Sequence, residues 1–474
     1  MTSLTPPSWL EARPYQKEAI SVWMHNRGQG ILNMATGTGK TVTSLLASSE
    51  LAELQDGELA LIIAAPYQHL VDQWVEELEH FSVTPIKAYQ SRTKWTDDLT
   101  MSITEYNSGG RDVLPIVTTH NTFATDHFQQ IIRRLNGAKT MLIVDEVHHM
   151  GAPHLRQSLP KEIRARLGLS ATPERWYDEE GTNSLMRYFS SGIVFEYGLD
   201  EAIESEYLSK YYYVPHLIPL TDDEQEEYLA LSKAIGQRAA SVSGDIGDAG
   251  AQSDETLKQL LFKRARLIGS AENKLTVLTD LLQQQKEIHH ILVYCGDGQV
   301  GGEGEETKRQ LRAVTELLGK ELQIKTHQFT YEEDQETRER LLSDFEEGVI
   351  EALVAIRCLD EGVDVPATQT AFVLASSSNP RQFIQRRGRI LRTHPEKRYS
   401  VIHDFVVTPP MEIRNETKED SIFNTERRLV KKELERLSTF TDSAINHPDA
   451  TLDSIPTTEG SITELKRDFN LLDI

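Results

Sequence analysis

The sequence predicts an α/β protein: two parallel-sheet domains in tandem, a helical insert between them and a helical tail at the C-terminus. Short apolar runs alternate with amphipathic stretches from about residue 29, and the same grain returns after about residue 289. Runs that are apolar throughout belong to strands buried on both faces, as parallel strands covered by helices are. The chain of 474 residues also exceeds what one core ordinarily holds.

Taken in order, ILNMA, LALIIAAP, VLPIVTTH and TMLIVDEVHH read as strands of the first domain. The helices between them are TVTSLLASSELA, HLVDQWVEELEHF and TFATDHFQQIIRRL, which together suggest a domain over residues 1–200. Residues 201–286 read as the helical insert, with TDDEQEEYLALSKAIGQRAA and DETLKQLLFKRARLIGSAENKLTVLTDLLQQQ joined by the small polar SVSGDIGDAGAQS. In the second domain, residues 287–408, the strands are HHILVYCG, QIKTHQFT, EALVAIRC, TAFVLAS and YSVIHDFVV. After Pro409 and Pro410 the tail, residues 409–474, offers one amphipathic helix, NTERRLVKKELERLSTF. Its Val430, Leu434 and Leu437 recur at i, i+4 and i+7, a stripe suited to docking on its own protein or on a partner.

Composition narrows the function classes. No apolar run reaches the length of a membrane span, and the N-terminus lacks the basic and apolar pattern of a signal peptide, so a cytoplasmic protein is expected. The two cysteines, Cys295 and Cys358, sit in apolar strands and read as reduced core residues, and no zinc or calcium spacing occurs. A net charge of -23 argues against general coating of nucleic acid, so any such contact must use local basic clusters. One exists: residues 381–398 hold seven basic side chains against the single acid Glu396.

MATGTGKT, Met34 to Thr41, lies where a strand passes into a helix, the context of a phosphate loop. The pattern G-x-x-x-x-G-K-[ST] wants glycine where this chain has Met34. The mechanism survives the change: Gly37 and Gly39 free backbone amides to point inward, with Thr36 and Thr38 between and before them. Lys40 can reach the β- and γ-phosphates, and Thr41 can ligand magnesium. The alternative is a glycine-rich turn with an incidental lysine. Further on, MLIV runs into Asp145 and Glu146, placing two carboxylates at the carboxyl end of a buried parallel strand. There Asp145 can hold the magnesium shell and Glu146 can orient or deprotonate attacking water, unless this is simply a strand-to-turn junction. His148 could link that site to the next motif. In the second domain, QRRGRILR spans Gln385 to Arg392. On a helix beginning near Asn379, Arg389 and Arg392 would face one way and reach one anion. Placed across a cleft from Lys40 they would stabilise γ-phosphate charge; otherwise they are an exposed basic face or a phosphate-backbone contact.

The order of these motifs resembles the superfamily-two helicases and translocases, over roughly residues 10 to 408. RPYQ (13–16) is similar to the family's adenine-reading element, MATGTGKT to motif I, AAPYQHLVDQW to Ia, VTTH to Ic and DEVHH to motif II in its DExH form. SATP (170–173), ILVYCGDG, AIRCLDEGVDVP and QRRGRILR are similar to motifs III to VI. The resemblance implies two RecA-like domains that close on ATP with Mg2+. It places Arg13 and Gln16 at the base, Gln385, Arg389 and Arg392 in the catalytic set, and Asp364 near the ribose. Ser170 and Thr172 would couple hydrolysis to domain motion. DEVHH together with MATGTGKT is similar to the branch holding type III and type I restriction motors and XPB-like translocases.

The expectation is therefore an ATP-dependent motor on nucleic acid, DNA favoured. It would grip the backbone through Thr118, Thr119, His120 and the segment around Arg357. No nuclease pattern appears, so in a restriction or phage-defence system a partner chain would cut. Two other readings stay open, an RNA helicase and a nucleotide-gated switch subunit of a larger complex.

Overall fold

The structure, a computed structural model, describes residues 3–175, 178–190, 192–241, 254–285, 288–296, 299–300, 308–330, 333–356, 365–375, 380–410, 421–446 and 459–472. The chain divides into two compact units, Met1–Glu204 and Ser205–Ile474. Among the described residues, no helix is long and apolar enough to cross a membrane.

In the first unit the strands are β1 (Gln29–Met34), β2 (Leu59–Ala65), β3 (Ile86–Ala88), β4 (Val113–Thr119), β5 (Thr140–Val144), β6 (Ala165–Ser170) and β7 (Ile193–Tyr197). They form one parallel sheet in the order β3-β4-β2-β5-β6-β1-β7. Every residue of β2, β4 and β5 is buried, which is why these strands read as unbroken apolar runs. Strands β3, β6 and β7 left no such run: β3 has three residues, and β7 is half-exposed for most of its length. The stretch TFATDHFQQIIRRL is two short helices, His120–Phe123 and Asp126–Ile132, because Thr119 and Thr125 each cap a new start through a side-chain oxygen.

The second unit holds β8 (Tyr211–Ile218), β9 (Ile291–Tyr294), a small antiparallel pair β10 (Gln299–Val300) and β11 (Lys308–Arg309), then β12 (Thr326–Phe329), β13 (Ala352–Ala355), β14 (Thr370–Val373) and β15 (Ser400–Val407). Its main sheet, β12-β13-β9-β14-β15-β8, is also parallel throughout. Two parallel-sheet units with covering helices are thus present. The stretch 201–286 contains the expected helices Asp222–Ser241, Glu255–Gly269 and Asn273–Gln284, and in addition β8, which the periodicity does not reveal. YYYVPHLI carries Pro215 in mid-strand, a residue tolerated because β8 is the edge of the sheet. Leu278 and Leu282 of the helix Asn273–Gln284 pack into the core of this unit with Ile218, Val293, Val354 and Phe372.

The tail helix Ser421–Thr441 buries Val430, Leu434 and Leu437, so its apolar stripe docks on its own unit. Buried ionic groups fix it there. Glu426 accepts from Arg264 of Glu255–Gly269 at 2.6 Å and from Ser232 at 2.8 Å, and Arg436 pairs with Asp404 of β15, which also accepts the Tyr213 hydroxyl at 2.6 Å. Removing one partner of such a pair strands the other charge. Glu426→Gln is therefore expected to cost the second unit about 3–5 kcal/mol, read as a lowered urea midpoint. An unchanged midpoint would deny the pair a structural role.

Candidate active site

The phosphate loop is built by a change of backbone hand. Strand β1 ends at Met34, the loop turns through Gly37 (φ 89) and Gly39 (φ 81), and the helix Lys40–Leu54 begins. At Gly39 a side chain would be both strained and crowded, since a Cβ would stand 2.9 Å from Gln16 Nε2. Met34 needs no such freedom. It is the last residue of an ordinary strand, fully buried, paired with Tyr197 of β7, so a large apolar side chain suits the position that the pattern gives to glycine. Its carbonyl accepts from Lys40 Nζ at 3.0 Å, with the Ala35 carbonyl at 3.5 Å.

The RPYQ segment is knitted onto the back of this loop. Gln16 Oε1 accepts the Arg13 amide at 2.9 Å, while its Nε2 faces the Gly39 carbonyl at 3.4 Å. Tyr15, which the sequence reading passed over, donates from its hydroxyl to the Thr38 carbonyl at 2.5 Å, and Arg13 donates to that same hydroxyl at 3.0 Å. The Tyr15 ring stacks on Tyr197 at 4.0 Å. The sequence signal for Tyr15 was its place inside a recognised motif. Tyr197 had none, because its role arises only from the sheet order.

Strand β5 delivers Asp145, whose amide donates to the Ala64 carbonyl of β2 at 2.9 Å. Its Oδ1 accepts the Glu146 amide and its Oδ2 the Trp74 indole, both at 2.9 Å. Glu146 adopts φ 42, a left-handed conformation uncommon for a residue with a side chain and often held at functional sites. From there a polar chain leads away: Glu146 Oε2 lies 3.5 Å from His148 Nδ1, which lies 3.2 Å from Ser170 Oγ, which accepts the Thr172 amide at 3.0 Å. Arg175, another residue the sequence reading missed, donates to the His148 carbonyl and pairs with Asp178 at 2.7 Å. The structure thus brings together Lys40 with its loop, and separately Asp145, Glu146, His148, Ser170 and Thr172.

These residues suit a nucleoside triphosphate with its magnesium. The Thr36 hydroxyl is buried with no hydrogen-bond partner among the described residues, in a loop whose glycines Gly37 and Gly39 both adopt positive φ. Among the described residues, no group of three histidine, cysteine or acidic side chains could hold a metal unaided. Mg2+ takes one or two carboxylates and completes its shell with phosphates and water. Asp145, just past the end of β5, offers such a carboxylate, and Thr41 stands in the first turn of the helix that follows the loop.

The expected polymer grips behave otherwise. Thr118 is wholly buried and its hydroxyl donates to the Ala88 carbonyl at 2.6 Å; Thr119 caps a helix through the Thr122 amide at 3.2 Å; His120, 2% exposed, bonds the Ala64 carbonyl at 3.2 Å. Their side chains serve the fold at the end of β4, and none offers an open face to a phosphate. Burial, then the neighbouring His149, lowers the His120 pKa to about 3. Unfolding lets this imidazole take a proton at about pH 6.5, so its contribution to stability is complete above that pH and is lost as pH falls toward 3. His120→Asn is expected to flatten the fall in melting temperature between pH 7 and pH 5. An equally steep fall in the variant would exclude His120 as its source.

In the second unit Gln385, Arg386, Arg387 and Arg389 are buried on the helix Pro380–Ile390. That helix ends before Arg392, which instead bridges Leu208, although its amide still approaches the Arg389 carbonyl at 3.4 Å. The single helical face expected for Arg389 and Arg392 is therefore a closing turn. The Lys397 ammonium fixes this end, donating to the carbonyls of Ile390 at 2.9 Å and Pro366 at 2.8 Å. Arg387 is committed to the tail helix, donating to the Thr439 carbonyl at 2.7 Å, and Arg386 to the Ala375 carbonyl at 3.0 Å. Arg357 and Asp364 lie outside the described residues, as does Cys358. Cys295 is a buried free thiol whose pKa burial pushes up.

A sequence profile of the type III restriction enzyme res subunit matches residues 10–175, and one of the helicase conserved C-terminal domain matches residues 273–394. The chain is 28% identical over 397 residues to the DNA 3'-5' translocase XPB2 of Sulfurisphaera tokodaii, covering 81% of this chain and 79% of that one. It is 25% identical over 428 residues to the putative DNA 3'-5' helicase Rad25 of Haloarcula marismortui, covering 89% of this chain but 56% of that protein. Among solved structures, the Hef helicase domain of Pyrococcus furiosus superposes with a TM-score of 0.54 at 16% identity, covering 87% of this chain and 98% of that one. The DNA-bound type ISP restriction-modification enzyme LlaBIII gives a TM-score of 0.62 at 15% identity over 98% of this chain and 32% of its own. At such identities the two structures speak for the fold alone.

Proposed function

Because the chain belongs to the superfamily-two helicases and translocases, we propose that it is an ATP-driven motor on nucleic acid, with DNA as its track. The observation that carries this reading is the polar chain from Glu146 through His148 to Ser170 and Thr172, which begins beside Asp145 and ends in the next motif. In this reading the amides of Gly37 to Lys40 and the Lys40 ammonium hold the β- and γ-phosphates, and Thr41 and Asp145 hold magnesium. When bound, the metal supplies charge neutralisation at the phosphates. Glu146 orients water and takes its proton, Arg389 and Arg392 stabilise charge on the phosphoryl oxygens, and Gln385 supports them. Arg13 and Gln16 read the base. The His148 link reports the state of Glu146 to Ser170 and Thr172.

The DNA preference draws on the relatives named as DNA translocases and helicases. It is tested by comparing ATPase rates with duplex DNA, single-stranded DNA and structured RNA. Stimulation by DNA well above RNA is expected. RNA as the stronger activator would make the protein an RNA helicase, and indifference to both would make it a nucleotide-gated switch. Service in a cytoplasmic restriction or phage-defence assembly, with cutting by another chain, belongs to the same proposal. The similarity to a type III restriction subunit supports it. Degradation of DNA by the pure protein alone would overturn that part.

A further inference from the structure

We propose that Trp74 is a positioning residue for the magnesium shell, acting through Asp145. The inference rests on the reading of Asp145 as the metal-holding carboxylate. Trp74 lies on the helix Gln68–His80, where Val71, Trp74, Val75 and Leu78 form the buried face, so by sequence it is an ordinary core residue. Its indole N–H distinguishes it. That group donates to Asp145 Oδ2 at 2.9 Å while the Glu146 amide donates to Oδ1 at the same distance. A buried indole N–H needs an acceptor, and here the acceptor is an acid at the head of β5.

The arrangement has a chemical consequence. Each carboxylate oxygen has two lone-pair directions, and at least one on each is taken by a donor from the protein. The plane of the Asp145 carboxylate is thereby set, and the remaining lone pairs have defined directions. Outer partners of this kind orient a ligand, and their removal commonly costs about 10–100-fold in metal affinity. One donor is backbone, which substitution does not remove. The Trp74 donor is a side chain, so the orientation can be perturbed there without touching the carboxylate.

The test uses the full chain and a fluorescent ADP, with Mg2+ titrated at fixed nucleotide and a parallel titration of nucleotide in EDTA. Trp74→Phe keeps an aromatic ring and deletes the N–H. It is expected to raise the half-saturating Mg2+ concentration about tenfold and to leave affinity in EDTA unchanged. Trp74→His, which restores a ring N–H, should recover part of the loss. If Asp145→Asn leaves the Mg2+ dependence untouched, the reading of Asp145 itself fails. If Asp145→Asn shifts it and Trp74→Phe does not, the Trp74 inference is overturned. Equal losses with and without Mg2+ would make Trp74 mere packing and overturn it too. Should Trp74→Phe not fold, the indole N–H signals of the wild-type protein decide. One that moves when Mg2+ joins the ADP complex, and stays still in Asp145→Asn, supports the inference; none moving overturns it.

Discussion

Glu146→Gln is expected to bind ATP as tightly as the wild-type protein and to hydrolyse it at least about 100-fold more slowly, the loss typical of removing a positioned general base. The substitution is close to isosteric, and glutamine can still orient water but cannot take its proton. Glu146 sits at φ 42 directly after Asp145, with its carboxylate largely buried beside His148. The check is a nucleotide-binding titration together with kcat, with Lys40→Ala as the contrast in which binding itself weakens. A variant that turns over ATP at the normal rate would show that Glu146 is not the base.

Arg389→Ala is expected to retain nucleotide binding and lose about 1,000-fold or more in kcat, the scale on which arginine fingers contribute. Its neighbours supply the control. Arg387 is tied to the Thr439 carbonyl and lies 4.8 Å over the Phe440 ring, so Arg387→Ala should loosen the tail helix and lower the melting temperature. Arg389→Ala should affect turnover far more than melting. If the two variants instead lose stability and activity in parallel, the basic helix is scaffold and the charge on the phosphates is met elsewhere.

Much of this is legible in the amino-acid sequence. The continuous apolar strands, the loop from Met34 to Thr41 and the Asp145–Glu146 pair could be found because each depends on residues adjacent in sequence. So could the helix with Arg389, up to its last turn. Strand β8 was not legible, because aromatic and half-exposed residues around Pro215 form a strand only where an existing sheet offers the unpaired side of β15. Thr118, Thr119 and His120 were expected as polymer grips because VTTH resembles motif Ic of the helicases. Whether polar groups there face outward or close the fold depends on whether Ala88, Ala64 and Thr122 lie within bonding distance.

By itself, then, the amino-acid sequence determined the two-sheet architecture, the phosphate loop and the order of the motifs. Periodicity, chain stiffness at glycine and short-range spacing are local properties. The tertiary structure alone decided that Tyr15 and Tyr197 brace the loop from behind and that Glu426 and Asp404 fasten the tail helix. It also decided that Trp74 holds Asp145. These contacts join residues far apart in the chain, and a buried donor or charge finds its partner only once folding has removed water from around both.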